Sequence, residues 1–290
     1  MIISMLSGGL GNQLFQYAAA RALAERNKSE LYFDLRLLKD ESTAFTKRNF
    51  ELSCFNIPGK LADEKLIKKL EKKISVSKKI SKIIPASLAV KYAEPHFEFD
   101  PLFFEIQPPA IISGHFQSEK YFEPVKDIIK KELSPGFEMS QPGTDLLRHI
   151  TSVNSVSIHI RRGDYVNDET TRNFHGTCSI SYYESAIHTI VAKKKALHLF
   201  IFSDDIDWAL KNFKPNHPAT FVVHSNLIST AEELHLMSKC RHNIIANSSF
   251  SWWAAWLNCN PEKIIVAPEK WFNKPGINTK DLIPAGWIKM

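Results

Sequence analysis

Short apolar runs alternate along the chain with segments whose apolar residues have helical spacing. The run at residues 2–6 ends at glycines, and apolar residues then recur every three or four positions between Asn12 and Asn27. A second short run, Leu31-Tyr32-Phe33, follows that segment. The order of strand, glycine loop, helix and strand predicts the opening of an α/β unit.

The same alternation resumes in the second half of the chain. Strands are predicted at 156–160, 197–202, 221–223, 244–246 and 263–267, and helices at 181–191, 206–213, 230–239 and 250–257. Between the halves, residues 135–143 contain two Pro-Gly pairs and have the composition of a linker. The pattern predicts an α/β protein with two Rossmann-like domains built on parallel sheets, at 1–140 and 141–290.

Residues 60–84 are rich in lysine, with apolar residues between the lysines at helical spacing. The stretch from Lys68 to Lys82 predicts weak, salt-sensitive contact with an anionic membrane surface. The alternative is the solvated face of an ordinary amphipathic helix.

Composition narrows the function classes. Of 290 residues, 44% are hydrophobic and 23% are charged, as in a soluble globular protein, and no apolar run approaches the roughly 18 residues of a membrane span. The first residues are too few and uncharged for a signal peptide, so a cytoplasmic location is expected, with a peripheral contact at the inner membrane face if the lysines bind lipid. The net charge of +6 is compatible with nucleic acid, a nucleotide-sugar or an anionic membrane, and does not choose among them.

Residues 8–13 form a glycine-rich loop between a predicted strand and a predicted helix. Glycine lets the backbone approach a ligand, and a helix N-terminus offers N–H groups to an anion. The loop lacks both the dinucleotide GxGxxG pattern and the Lys-Ser/Thr of a P-loop. A tight turn without a ligand is the alternative.

Residues 159–165 place two arginines, Arg161 and Arg162, just after a predicted strand. Ligands of open parallel sheets bind beyond the carboxyl ends of the strands, and paired arginines suit a pyrophosphate. Strand alternation places His159 and Arg161 on one side and Arg162 on the other, so one arginine is expected to be catalytic and the other structural. A surface basic pair bound to Asp164 is the alternative.

Two further segments are candidates for ligand binding. Asp205-Ile206-Asp207 resembles a DxD metal site, but an aspartate at this position also caps a helix, which is the interpretation we favour. Residues 247–256 begin a helix with an asparagine and two serines, which suits a phosphate. Trp252 and Trp256 lie four positions apart, which is typical of core packing.

Taken together, the segments 8–16, 114–122, 159–165, 202–205 and 236–257 resemble glycosyltransferase family 11, the α-1,2-fucosyltransferases. The resemblance covers nearly the whole chain. It implies the GT-B arrangement, two Rossmann-like domains facing a cleft, with the acceptor mainly on the first domain and GDP-fucose on the second. It also implies an inverting transfer of L-fucose to the 2-hydroxyl of a terminal galactose in a glycan, with no metal or other cofactor.

Site residues follow from the resemblance. Arg161 is expected on the β-phosphate, His159 near the guanosine and Glu233 on the guanine edge. The other expected donor-binding residues are Gly9, Gly11, Asn12, Gln13, Arg162, Ser203, Asp204, Asn247, Ser248, Ser249 and Phe250.

The acceptor hydroxyl needs a base, and Asp164 or Glu169 is predicted to supply it, with His115, His175 and Glu119 as further candidates. Fucosyl transfer with another linkage, a metal-dependent sugar transferase and a nucleic-acid-binding protein are the alternative functions. The acceptor glycan and the oligomeric state are not indicated by the sequence.

Overall fold

A computed structural model describes residues 1–39, 48–80, 90–223 and 228–290. Lys82 lies outside the described residues, as do the side chains of Lys78, Lys79 and Asp164. The chain divides into two compact units, Met1–Gly136 with Asn278–Leu282, and Phe137–Ile277 with Ile283–Met290. The predicted boundary at residue 140 lies just after the observed division, and the return of 278–282 to the first unit has no counterpart in the prediction.

The first unit is built on a parallel sheet with the order β3-β2-β1-β5-β4. Its described strands are β1 Ile2–Met5, β2 Leu31–Asp34, β3 Lys60–Leu61, β4 Val90–Ala93 and β5 Ala110–Ser113. Its described α-helices are α1 Leu10–Arg26, α2 Arg36–Lys39, α3 Glu64–Ile80 and α4 Lys126–Glu132.

The apolar face of α3 is part of the core of this unit. Ile67, Leu70 and Ile74 are buried and pack with Ile3 and Ile111. The apolar residues that alternate with the lysines therefore stabilise the fold, and only the basic face of the described helix remains for an electrostatic contact. No helix in the described ranges is both long and apolar enough to cross a membrane.

The second unit is built on a parallel sheet with the order β11-β10-β9-β6-β7-β8. Its described strands are β6 Asn154–Ile160, β7 Leu197–Ser203, β8 Ala219–Val222, β9 His242–Ile244, β10 Ile265–Ala267 and β11 Ile288–Lys289. Its described helices are α5 Gln141–Ser152, α6 Gly163–Asn167, α7 Glu169–His175, α8 Ile180–Val191, α9 Ile206–Asn212, α10 Thr230–Lys239 and α11 Ser249–Leu257.

This strand order is that of a doubly wound Rossmann sheet. From β6 the chain proceeds outward to β7 and β8, and from β9 it proceeds in the opposite direction to β10 and β11. The neighbouring strands β6 and β9 therefore flank the topological switch point, where open parallel sheets bind their ligands.

Candidate active site

The carboxyl ends of β6 and β9 bring two of the sequence motifs together. His159 lies at the end of β6 and is 3% exposed. Its ring centroid is 5.7 Å from that of Phe250, which lies in the first turn of α11 beyond β9. The segments at 159–165 and 247–256 thus share one edge of the second sheet.

His159 is neutral and only partly satisfied in its hydrogen bonding. Burial holds the pKa of His159 well below its ordinary value, because it disfavours the charged imidazolium; Asp204 opposes this shift and Arg161 adds to it. Its Nδ1 is buried and has no hydrogen-bond partner within the described part of the chain. The buried nitrogen is therefore suited to a neutral hydrogen bond with a ligand.

Arg161 is oriented by a carboxylate and an aromatic ring. Its Nη1 lies 3.0 Å from Oδ2 of Asp204, and its guanidinium carbon is 5.4 Å from the ring centroid of Tyr165. Asp204 also accepts the backbone N–H of Arg162 at 2.8 Å. A Cβ atom on Gly163 would lie 2.4 Å from Oδ2 of Asp204, so glycine is required at this position for the carboxylate to lie there.

Arg162 has different surroundings. Its guanidinium carbon is 3.6 Å from the ring centroid of Trp208, and its Nε is 3.5 Å from Oδ2 of Asp205. Strand alternation predicts that neighbouring side chains diverge, and the two arginines accordingly contact different partners. Arg162 stabilises the start of α9, whereas Arg161 lies beside His159.

The predicted helix cap in the third motif is confirmed. Asp205 accepts the backbone N–H of Trp208 at 3.2 Å and caps α9. Ser203 donates its hydroxyl to the carbonyl of Ile160 at 2.8 Å, which ties β7 to β6. The described residues contain no group of three or more His, Cys, Asp or Glu side chains that could hold a metal ion.

Asn247 fixes the backbone around the site. Its Nδ2 donates to the carbonyls of His175, Gly176 and Trp271, at 3.0, 3.1 and 3.2 Å. The backbone carbonyl of Asn247 accepts a hydrogen bond from the hydroxyl of Tyr165 at 3.1 Å. The side chain of Asn247, predicted to bind the donor, is therefore occupied by protein contacts and acts through the loop that it holds.

The N-terminus of α11 offers backbone donors at the same edge. Ser248 is the N-cap, is 5% exposed and makes no side-chain capping hydrogen bond. The first N–H groups of the helix, at Ser249 and Phe250, lack an intrahelical acceptor by the geometry of any α-helix. Trp252 and Trp256 are buried with their rings stacked, which confirms their predicted packing role.

Glu232 has a structural role that the sequence analysis missed. It forms a capping box with Ser229 and also accepts the backbone N–H of Ser140 at 2.5 Å, which joins α10 to the start of α5. The spacing Ser-x-x-Glu is the signal that could have revealed it. Glu233, predicted to contact guanine, is half-buried in the first turn of α10.

Of the two predicted bases, the structure describes the side chain of Glu169 only. Glu169 is the first residue of α7 and is exposed, and Asp168 caps that helix by accepting the N–H of Thr171 at 2.6 Å. Asp164 lies within α6.

The glycine-rich loop lies in the first unit, and protein groups occupy the side-chain amide of Gln13. Gln13 donates to the carbonyls of Gly8 and Asn49, both at 2.8 Å, and its Oε1 accepts the N–H of Glu51. The Glu51 carboxylate in turn interacts with the backbone N–H of Leu10, at the start of α1. The Arg48 guanidinium lies beside this carboxylate, with Nε 3.9 Å and Oε2 of Glu51 3.7 Å from the position of a Cβ on Gly9. Donor binding by Gly9, Gly11, Asn12 and Gln13 stays a prediction.

The chain is similar to known glycosyltransferases over its full length. The model of the family described as "Glycosyl transferase family 11" matches residues 1–290. The O-antigen biosynthesis glycosyltransferase WbnK of Escherichia coli is 34% identical over 310 residues, covering 99% of both chains. An alpha-1,2-colitosyltransferase of Escherichia coli is 32% identical over 294 residues, covering 100% of this chain and 99% of that one.

A structural likeness supports the same fold. A mutant of Arabidopsis thaliana FUT1, solved in complex with GDP, aligns with a TM-score of 0.51 at 13% identity, covering 91% of this chain and 69% of that one. Together with the two parallel sheets, this likeness confirms the predicted α/β fold of the GT-B class. The chain belongs to glycosyl transferase family 11 and is a glycosyltransferase.

Proposed function

Starting from membership of glycosyl transferase family 11, we propose that the enzyme transfers L-fucose from GDP-fucose to the 2-hydroxyl of a terminal galactose, with inversion at the anomeric carbon. The observation that carries the proposal is that Arg161 and the N-terminus of α11 follow the neighbouring strands β6 and β9, and so lie at one sheet edge. A fixed guanidinium and free backbone N–H groups together suit a diphosphate.

Arg161 and α11 would act on the leaving group. As the bond from the anomeric carbon to the phosphate oxygen breaks, negative charge grows on the β-phosphate of GDP. Donors that are already oriented stabilise this charge without having to reorganise, which lowers the barrier. Asp204 and Tyr165 hold the Arg161 guanidinium in place before the donor binds.

His159 would contribute a neutral hydrogen bond to the nucleoside part of the donor. Its unpartnered Nδ1 is compatible with a ribose hydroxyl, and the adjacent Phe250 ring offers an apolar surface. Glu233 would accept from the N1–H and N2–H groups of guanine, since its carboxylate matches that donor edge.

The reaction would need no metal ion, because protein donors replace it at the phosphates. The carboxylates of the DxD-like segment support this part of the proposal. Asp205 caps α9 and lies near Arg162, and the neighbouring Asp204 is paired with Arg161. Full activity in EDTA is the expected result, and activity that returns only with added Mn²⁺ would contradict it.

The acceptor would be a galactose at the end of a bacterial surface polysaccharide. One relative is named for O-antigen biosynthesis and another for an α-1,2 linkage, which favours this class of acceptor and this linkage. Membership of a glycosyltransferase family argues against the nucleic-acid-binding alternative.

Transfer of colitose is the second candidate. The relative at 32% identity is named an alpha-1,2-colitosyltransferase, and colitose is L-fucose without its 3-hydroxyl. The two donors share GDP and the 6-deoxy ring, so the phosphate site described here serves both.

The deciding experiment incubates the purified enzyme with GDP-fucose or GDP-colitose and a panel of galactosides, followed by linkage analysis of the products. An α-1,2-fucosylated galactoside is expected, with a higher kcat/KM for GDP-fucose. A preference for GDP-colitose would establish the second candidate, and a product with another linkage would contradict the first.

A further inference from the structure

The carboxyl ends of β1 and β5, neighbouring strands of the first unit, bring the first turn of α1 against residues 114–117. Nε2 of Gln117 donates to Oδ1 of Asn12 at 2.9 Å. Gln117 is 7% exposed, and its Oε1 is buried without a hydrogen-bond partner among the residues that the structure describes. An unpaired buried amide oxygen is unfavourable, so a bound group is needed to satisfy it.

The turn that carries Gln117 is held by several contacts. Phe116 has φ +52°, an unusual value for a residue other than glycine. The Glu94 carboxylate accepts the backbone N–H groups of His115, at 2.7 Å, and of Phe116, at 3.1 Å. The Phe116 ring is fully buried against Tyr121, with centroids 5.2 Å apart. These contacts stabilise a strained turn, and strain of this kind is concentrated at functional sites.

The charges near this pair select the chemistry of the bound group. The Glu51 carboxylate and the Arg48 guanidinium both lie at the start of α1, with Oε2 at 3.7 Å and Nε at 3.9 Å from the position of a Cβ on Gly9. These opposite charges offset each other, so they do not favour a charged ligand. The amide oxygen of Gln117 accepts hydrogen bonds, and an ionised phosphate has no hydrogen to donate to it. A sugar hydroxyl fits, because it can both donate and accept a hydrogen bond. It therefore satisfies Gln117 whether Oε1 or Nε2 of the side-chain amide faces the ligand.

We propose that Gln117, positioned by Asn12, binds a hydroxyl group of the acceptor sugar other than the one that reacts. The inference rests on the proposed function and extends it, because it assigns a specificity-determining contact to the first unit.

The test compares wild-type enzyme with Gln117→Ala and Gln117→Met, which keeps the side-chain length but cannot hydrogen-bond. Each protein transfers fucose to galactose and to its 3-, 4- and 6-deoxy analogues. For the wild type, we expect one analogue to lose about 10-fold in kcat/KM, the value of one neutral hydrogen bond. In both variants, kcat/KM for galactose should fall to the wild-type value for that analogue, whereas kcat/KM for the analogue itself should not change. The Kd of GDP-fucose should also be unchanged. Gln107→Ala, at an exposed position of the same unit, is the matched control.

Equal losses on all four acceptors, an increased Kd for GDP-fucose, or unchanged kinetics would each overturn the inference; the last would mean that a water molecule satisfies Gln117. If the wild-type enzyme transfers neither fucose nor colitose to any galactoside, the proposed function is overturned instead. Saturation-transfer NMR of galactoside binding to wild type and Gln117→Met then measures the same contact without the reaction.

Discussion

The carboxylate of Asp204 contacts both of the arginines that follow β6, the guanidinium of Arg161 at 3.0 Å and the backbone N–H of Arg162 at 2.8 Å. Asp204 begins the turn after β7, and the arginines follow the neighbouring strand β6. One side chain therefore fixes both the position of the strand end and the direction of the guanidinium. Since Arg161 is 22% exposed, this pair remains open to a ligand, and its main effect is orientation rather than stability.

Arg161→Ala should nearly abolish transfer, and Arg161→Lys should not restore it. Lysine carries the charge but cannot reproduce the forked hydrogen bonds of guanidinium to a phosphate. A loss in kcat on the order of 100-fold or more is expected, as for removal of one oxyanion donor. The measurement is steady-state transfer at saturating GDP-fucose, with Arg148→Ala, an exposed arginine of α5, as the control. Activity within a few-fold of wild type would show that Arg161 is peripheral.

Gly163→Ala should lower the rate of transfer, because it displaces the carboxylate of Asp204. The added Cβ would lie 2.4 Å from Oδ2 of Asp204, so the carboxylate must move and Arg161 loses its orientation. We expect kcat to fall by about 10- to 100-fold, because a displacement of about 1 Å at a catalytic group has effects of this size. Thermal unfolding should show only a modest loss, about 1–3 kcal/mol.

Gly286→Ala is the matched control for that substitution, because a Cβ there meets no atom within 4 Å. It should leave both transfer and unfolding unchanged. A fully active Gly163→Ala enzyme would mean that the position of Asp204 does not matter for transfer.

Acid should destabilise the second unit through His242. The side chain is buried, and its Nδ1 accepts the backbone N–H of Ile264 at 3.0 Å. Burial lowers the pKa of His242 to about 4, and the charges of Lys194 and Arg241 add to the shift. The folded state therefore binds the proton less tightly than the unfolded state, whose histidine titrates near 6.5. Stability is complete above about pH 6.5 and falls as the pH approaches 4.

Unfolding by urea between pH 7 and 4 measures this contribution. His242→Asn should flatten the pH dependence, because asparagine can still accept the Ile264 N–H and does not titrate. His188→Asn, at an exposed position of α8 in the same unit, is the control. An equally steep pH dependence in both variants would show that other groups cause the acid unfolding.

The strands and helices of the second unit could be predicted because their apolar periodicity is local. Helices α5, α6 and α7 were not predicted. In α5 the reason is that Pro142 and Gly143 have the composition of a linker. Ser140 caps that helix and proline is tolerated in its first turn, so the same residues mark a helix start once that context is known. Strand β11 has two residues and depends on pairing with β10, which no local pattern shows.

The sequence predicted which segments form the candidate site, but not which residues contact each other within it. The positions of Arg161 and His159 at a strand end follow from the apolar run before them. The partner of Arg161 does not, because Asp204 comes from another strand and only the sheet order places it there. The pair of Gln117 and Asn12 likewise depends on β1 and β5 being neighbours.

The last prediction concerns the base. An inverting displacement needs a base on the far side of the anomeric carbon from the leaving phosphate, and Arg161 marks the phosphate side. The segment that leaves Arg162 carries two candidate carboxylates, Asp164 in α6 and Glu169 at the start of α7. Glu169 is exposed at the first position of its helix, and Asp168, not Glu169, caps that helix. Its carboxylate is therefore not needed to cap α7 and is the stronger candidate to accept a proton.

Glu169→Gln and Asp164→Asn should be compared for transfer and for GDP-fucose binding, with Glu184→Gln, at an exposed position of α8, as the control. A base variant loses transfer by about 100-fold or more yet keeps its affinity for the donor, because proton removal is required only when the acceptor attacks. Loss of donor affinity in Asp164→Asn would instead assign that residue to the arginines. If both variants transfer normally, the proton leaves by another group, and His115 and His175 are the next side chains to substitute.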